Sequence, residues 1–298
     1  MIKATSLSIG NRRFLWGSRT YIMGILNLTP DSFSGDGLLA EGAGEEDRVK
    51  SALRIARQFV EDGVDIIDIG GESTRPGSMP VEPDEEMERI LPAVGAIAGE
   101  LDVLISVDTY KAVVAKAAIE LGAHIVNDVW GLRADPELGE VAAHTGAPVI
   151  LMHNRSSWAH AEIKERLGGR YVGMPYEDLL VDVKRELLES VAIARAAGIP
   201  DEQIILDPGI GFGKTVEQNL ELLNRLPEIR ALGYPVLLGT SRKSFIGYTL
   251  DLPPDQRLEG TAATVAVGIT RGADIVRVHD VQTMSRVARM TDAIVRSH

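Results

Sequence analysis

Two sets of side chains in this sequence have the chemistry to hold opposite ends of one ligand. Asp108, Asn127 and Asp207 are hydrogen-bonding groups, two of them anionic, while Arg242, Lys243, Arg277 and His279 supply positive charge. A buried carboxylate needs a partner. A flat heterocycle with adjacent N–H donors on an amidine-like edge would be one. Asn127 both donates and accepts, which suits a ring with a mixed edge. Met152 and Phe212 could pack on the ring faces. Arginine makes planar bidentate contacts to phosphate and lysine acts as a point charge. The Gly-Thr-Ser-Arg-Lys-Ser turn at 239–244 adds backbone N–H groups for an anion. These residue types point to a planar polar ring at one end of a pocket and a phosphoryl group at the other. Few metal ligands are evident beyond Asn27, Asp and water, a set that would suit a hard ion such as Mg²⁺ shared with a phosphate. No nucleophile–base pair with good spacing is evident. The Gly-Ile-Gly-Phe-Gly-Lys run at 209–214 is rich in glycine but lacks P-loop spacing, so it reads as a tight strand-to-helix turn.

These residues occupy equivalent places in a repeating pattern. Eight short apolar runs, Tyr21–Leu28, Val64–Ile69, Val103–Val107, His124–Val129, Pro148–Met152, Gln203–Leu206, Pro235–Leu238 and Ile275–Val278, have the length of buried strands, and each ends in or leads into polar residues. Amphipathic stretches separate them, at about Glu45–Glu61, Asp84–Glu100, Lys111–Leu121, Asp135–His144, Leu179–Ala197, Val216–Leu226, Leu258–Arg271 and Gln282–Arg296. Asp84 and Asp135 are placed to N-cap their helices, and Gly63, Gly122, Gly198, Gly233 and Gly272 follow helices where a left-handed residue is needed. Strand–helix–strand repetition predicts parallel crossovers. Eight units favour a closed (β/α)8 TIM barrel over an open doubly wound sheet, with a short N-terminal extension and one domain over 1–298. In such a barrel all the polar strand ends open on one mouth. Two long loops follow strands, Thr29–Gly44 and Gly70–Pro83, and read as lids over that mouth.

Composition narrows the classes. The 298 residues carry 31 Lys plus Arg against 43 Asp plus Glu, a formal charge of −12, and no cysteine. That excludes disulfides, thiolate metal sites and a cysteine nucleophile, and argues against a general nucleic-acid binder. No signal-peptide pattern or apolar run of membrane-spanning length is found, so a cytoplasmic protein without membrane contact is expected.

The strand-end residues also resemble those of a known family. The run Met23 to Ser34, Met-Gly-Ile-Leu-Asn-Leu-Thr-Pro-Asp-Ser-Phe-Ser, and the run Asp68 to Gly77, Asp-Ile-Gly-Gly-Glu-Ser-Thr-Arg-Pro-Gly, look like two signatures of dihydropteroate synthases. Ser106–Thr109, Asn127–Val129, Met152–Arg155, Leu206–Lys214, Gly239–Ser244 and Arg277–Asp280 resemble the family at the remaining strand ends, in order.

The resemblance implies condensation of 7,8-dihydropterin-6-ylmethyl diphosphate with p-aminobenzoate to give 7,8-dihydropteroate and pyrophosphate, the folate step that sulfonamides block. It implies that Asp108, Asn127, Asp207 and Lys243, with Met152 and Phe212, hold the pterin. Asn27, Thr74, Arg277 and His279 would hold the diphosphate, Asn27 through Mg²⁺. Phe33, Arg75, Pro76 and Ser244 would shape the p-aminobenzoate pocket, and Lys243, Arg277, His279 and Arg75 would take part in the chemistry. The implied transfer is dissociative, with C–O cleavage first, and the implied assembly is a homodimer. The first loop departs from the family order, because Gly35 precedes Asp36 where the acidic residue usually comes first. Two other readings share the ring contacts: a methyltetrahydrofolate-binding methyltransferase domain and a non-catalytic pterin-binding protein. Neither needs the Ser-Arg-Lys turn, Arg277 with His279, and both loop signatures together.

Overall fold

The computed structural model describes residues 5–29, 44–74, 78–156, 161–164, 166–171 and 173–296. The eight apolar runs become strands β3 (Tyr21–Asn27), β4 (Ile66–Gly70), β5 (Leu104–Asp108), β6 (Ile125–Asp128), β7 (Val149–Met152), β10 (Ile204–Asp207), β11 (Leu237–Leu238) and β12 (Ile275–Val278). All are parallel, in the order β10-β7-β6-β5-β4-β3-β12-β11. A parallel bridge between Leu206 and Val236 joins the two end strands and completes the ring. The expected barrel is therefore the observed architecture.

Side-chain alternation explains how the same strands serve two cores. Ile22, Ile67, Ile105, Val126, Val149, Leu151, Ile204, Leu206, Leu238 and Val276 face outward, in a core shared with the surrounding helices. Met23, Ile66, Leu104, Ile125, Ile150, Ile205, Leu237 and Ile275, one from each strand, face the barrel axis. This inner layer packs on Leu7, Ile9, Phe14 and Trp16 of a hairpin formed by β1 (Ser6–Ile9) and β2 (Arg12–Leu15). The N-terminal extension is thus a plug for the barrel floor. Two residues further along, the inward face turns polar on five of these strands, at Asp68, Ser106, Asn127, Asp207 and Arg277.

The helices are α1 (Glu45–Glu61), α2 (Pro83–Glu100), α3 (Ala112–Glu120), α4 (Leu138–Thr145), α5 (Leu179–Ala196), α6 (Val216–Asn224), α7 (Leu226–Arg230), α8 (Ser244–Leu250), α9 (Leu258–Thr270) and α10 (Val281–Val295). Several differ from expectation for local reasons. The stretch read as one helix from Val216 breaks at Arg225 and restarts with Pro227 in the first turn of α7, where a missing N–H is tolerated. Asp84 lies inside the first turn of α2, whose N-cap is Glu82. Asp135 does not cap α4; it accepts from the backbone N–H of Glu137 (3.0 Å) and of Ala112 (2.8 Å), so it satisfies the start of α3 instead. The five glycines after helices all have positive φ. A second hairpin, β8 (Ala161–Lys164) and β9 (Gly168–Tyr171), rises from the loop after β7 and was not anticipated.

Candidate active site

The polar inward residues meet inside the barrel. Arg277 of β12 donates from Nε to Asp68 of β4 (2.6 Å) and from Nη2 to Asp108 of β5 (2.7 Å). Asn127 of β6 donates from Nδ2 to the same Asp68 oxygen (3.1 Å). None of these strand pairs, β12 with β4, β12 with β5 and β6 with β4, is adjacent in the sheet, so the bonds cross the barrel interior. Asp68 is fully buried, and its other carboxylate oxygen has no hydrogen-bond partner among the described residues. Burial pushes the Asp108 carboxyl up to about 7, with Arg277 opposing and Asp68 reinforcing the rise. Burial also lowers the basicity of Arg277, but Asp68 and Asp108 outweigh it and hold the guanidinium charged.

Asp207 and Lys243 form the neighbouring wall. Asp207 Oδ1 accepts the backbone N–H of Gly209 (2.7 Å). Burial raises its pKa, and the Lys243 charge works against that rise. Lys243 donates to the carbonyl of Ile210, and its Nζ stands 4.5 Å from the centre of the Phe212 ring. Burial draws its ammonium down to about 8. Met152 is buried on the inner face of β7. The ring of Phe212 lies 6.2 Å from that of Tyr171, whose hydroxyl donates to the carbonyl of Thr74 (3.2 Å). The unexpected hairpin thereby links the second long loop to the ring wall.

His279 follows β12, the strand beside β11, and meets the turn that carries Lys243. Its backbone N–H donates to Ser241 Oγ (3.1 Å), and its Nδ1 lies 3.0 Å from the same hydroxyl. With the hydroxyl oxygen accepting from the backbone, its proton can go to Nδ1, which leaves a donor N–H at Nε2. Asn27 is half-buried at the end of β3. Ser244 opens α8, directly after Lys243. Phe33, Asp36, Arg75 and Pro76 lie outside the described residues.

Arg242 departs from the anion-binding expectation. It takes a left-handed φ of 55°, and its guanidinium grips Asp280 (Nε 3.0 Å, Nη2 2.6 Å). The charge is committed to bracing the turn that carries Lys243. Sequence reasoning also missed three features. Asp68 was visible as a lone acid inside Ile-Ile-Asp-Ile, a pattern that only a buried partner explains. Glu72 anchors the second loop, accepting from Lys111 Nζ (2.6 Å), the Val81 N–H (3.1 Å) and the Tyr110 hydroxyl (3.2 Å). Lys111 also pairs with the fully buried Glu86. Nothing in the spacing of these residues announces their meeting. Tyr171 gave no signal at all.

Comparison with known proteins agrees with this geometry. A family model described as pterin binding enzyme matches residues 23–279. The chain is 50% identical over 291 residues to a dihydropteroate synthase of Clostridium beijerinckii, covering 97% of this chain and 100% of that protein. This chain belongs to the dihydropteroate synthase family. A dihydropteroate synthase structure from Clostridium difficile, solved in the presence of pteroic acid, has a TM-score of 0.84 and 48% identity over 94% of this chain and 98% of that one. Another, from Xanthomonas albilineans with 4-aminobenzoic acid, has a TM-score of 0.86 and 35% identity over 98% of each chain. Among the described residues of this family member, no helix is long and apolar enough to cross a membrane.

Proposed function

We propose that the chain is a transferase that joins 7,8-dihydropterin-6-ylmethyl diphosphate to p-aminobenzoate, releasing pyrophosphate and forming 7,8-dihydropteroate. The observation that carries this reading is the cross-barrel cluster of Arg277, Asp68, Asp108 and Asn127. It sets carboxylate acceptors for a ring edge beside a guanidinium suited to a diphosphate, in a chain related over 97% of its length to a dihydropteroate synthase.

In this reading Asp108, Asn127 and Asp207 receive the ring edge, Lys243 adds a donor, and Phe212 and Met152 support the faces. Arg277 and the Nε2 side of His279 hold the leaving diphosphate, with Thr74 on the second loop. The methylene C–O bond breaks first, its electron pair leaving on the diphosphate oxygen, and the pterin ring delocalises the positive charge. The arylamine lone pair then closes the C–N bond, and the nitrogen loses a proton. No nucleophile–base pair is required: the residues position the reactants and stabilise leaving-group charge. Loops 29–44 and 70–83 have the task of keeping water from the cation. Phe33, Arg75 and Pro76 on those loops, with Ser244, are assigned to p-aminobenzoate.

The donor set is compatible with Mg²⁺. No cluster of three or more His, Asp or Glu able to hold a metal exists among the described residues. Mg²⁺ usually retains waters and takes one or two protein ligands alongside substrate phosphates, so the single carbonyl of Asn27 is enough. When bound it would screen the diphosphate charge. A homodimer and a cytoplasmic location complete the reading.

Pyrophosphate release tests it, measured with the dihydropterin diphosphate, p-aminobenzoate and Mg²⁺. Release that requires both organic substrates is expected. Pterin binding without release would leave a non-catalytic pterin binder and sink the transferase assignment.

A further inference from the structure

The glycine-rich run 209–214 ends in a lysine whose Nζ is held by two carbonyls and an imidazole. Lys214 is buried, and its Nζ lies 2.9 Å from the carbonyl of Gly209, 3.0 Å from that of Phe212 and 3.0 Å from His153 Nδ1. Three acceptors match the three N–H donors of an ammonium. The other ring nitrogen of His153, Nε2, faces Glu186 Oε2 at 3.1 Å. A carboxylate there accepts, so the imidazole proton sits on Nε2 and Nδ1 is left to accept from Lys214. Glu186 is held in turn by Arg155, whose Nε lies 3.0 Å from Oε1.

The chain is wrapped closely around this ammonium. Gly209, Gly211 and Gly213 all have positive φ, at 69°, 86° and 65°. A Cβ at Gly209 would lie 1.8 Å from the His153 carbonyl oxygen, and one at Gly213 would lie 2.6 Å from the Arg155 carbonyl carbon. Three contacts of the turn build the ring wall. The Gly209 N–H holds Asp207, the Ile210 carbonyl holds Lys243, and Phe212 lies beneath the Lys243 ammonium.

We propose that Lys214 is a positioning residue for the pterin wall: its buried ammonium fixes the Gly209–Gly213 turn, and through it Asp207, Phe212 and Lys243, with neutral His153 as an acceptor backed by Glu186. The proposal rests on the reading that those three residues hold the pterin. It explains why a phosphate-loop-like run carries a lysine that contacts no phosphate site. It also predicts that loss of Lys214 damages one end of the pocket and spares the other.

The test is Lys214→Met in the full chain. Calorimetry would follow 6-hydroxymethyl-7,8-dihydropterin and, separately, Mg²⁺-pyrophosphate. The expected result is at least a tenfold rise in Kd for the pterin with pyrophosphate binding within twofold of wild type, and a fall in kcat/KM for the pterin diphosphate with the KM for p-aminobenzoate within twofold. Unchanged pterin affinity, or equal losses for both ligands, overturns the proposal. If wild type itself binds no pterin, the site assignment has failed instead, and a second measurement still judges the anchor. Nitrogen-15 NMR of wild-type His153 at pH 7 should show Nε2 protonated and Nδ1 accepting. A proton on Nδ1 overturns the anchor whether or not the variant folds.

Discussion

Replacing Arg277 with methionine should do more than remove a diphosphate contact. The guanidinium is the shared cation of two carboxylates, Asp68 at 2.6 Å and Asp108 at 2.7 Å, and Asp68 is fully buried. Removing one partner of a buried pair costs about 3–5 kcal/mol, because the remaining charge is left uncompensated. Protonation relieves part of that cost. Asp108 already sits at about 7 in the folded protein, and without Arg277 it rises further. A raised folded-state pKa for an acid means the native state binds the extra proton, so stability falls as pH rises. Between pH 6 and pH 8 wild type loses about one pKa unit's worth, about 1.4 kcal/mol, whereas the variant loses up to two units' worth, about 2.7 kcal/mol. The stability gap between the two proteins should therefore widen by about 1.4 kcal/mol across that range, read by urea unfolding at both pH values. At pH 7 the variant's Asp108 is largely protonated and no longer receives two ring N–H donors as a carboxylate. Affinity for a pterin lacking phosphates should fall about 10- to 100-fold, equivalent to about 1.5–3 kcal/mol for a charged hydrogen bond. Arg277→Lys keeps the charge without the fork and should retain most pterin affinity while weakening the diphosphate substrate. A pH-independent stability gap, together with unchanged pterin binding in Arg277→Met, would refute the shared-cation reasoning.

Four further outcomes are expected. The pH profile of kcat/KM should be bell-shaped: its acid limb lies near 7, where Asp108 gains a proton as pH falls, and its alkaline limb near 8, where Lys243 loses one as pH rises; a flat profile from pH 6 to 9 counts against both roles. Lys243→Ala removes the cation above Phe212 and should reduce pterin affinity and kcat/KM by about two orders of magnitude; calorimetry and steady-state kinetics check it, and normal values reject it. Asn27→Ala should raise the Mg²⁺ concentration needed for half-maximal turnover while leaving metal-free pterin binding intact, and an unaltered Mg²⁺ titration would remove Asn27 from the metal. Phe14→Ala should cost about 3–5 kcal/mol in urea unfolding, because Phe14 is buried against Trp16 and Tyr21 under the barrel floor; a loss under about 1 kcal/mol would show that the hairpin is not a plug.

Much of this protein was legible in its sequence for a plain physical reason. A strand buried on both faces is apolar over most of its length, so its extent is marked by where sustained polarity begins. Helix ends are marked similarly, as Gly63, Gly122, Gly198, Gly233 and Gly272 illustrate. Period and punctuation are local properties, and they determined the eight parallel units and placed Asn27, Asp108, Asn127, Asp207, Lys243, Arg277 and His279 at strand ends. What a side chain meets across the barrel is not local. Arg277 and Asp68 are separated by 209 positions, and Lys214 and His153 by 61. Only closure of the ring decided that Arg277 serves two carboxylates, that Arg242 is spent on Asp280, and that Lys214 points inward. Tertiary structure also turned the short N-terminal extension into the barrel floor, because a hairpin's value as a plug depends on the cavity it fills. Sequence determined where polar groups would gather; packing decided which of them pair with one another and which remain turned toward a substrate.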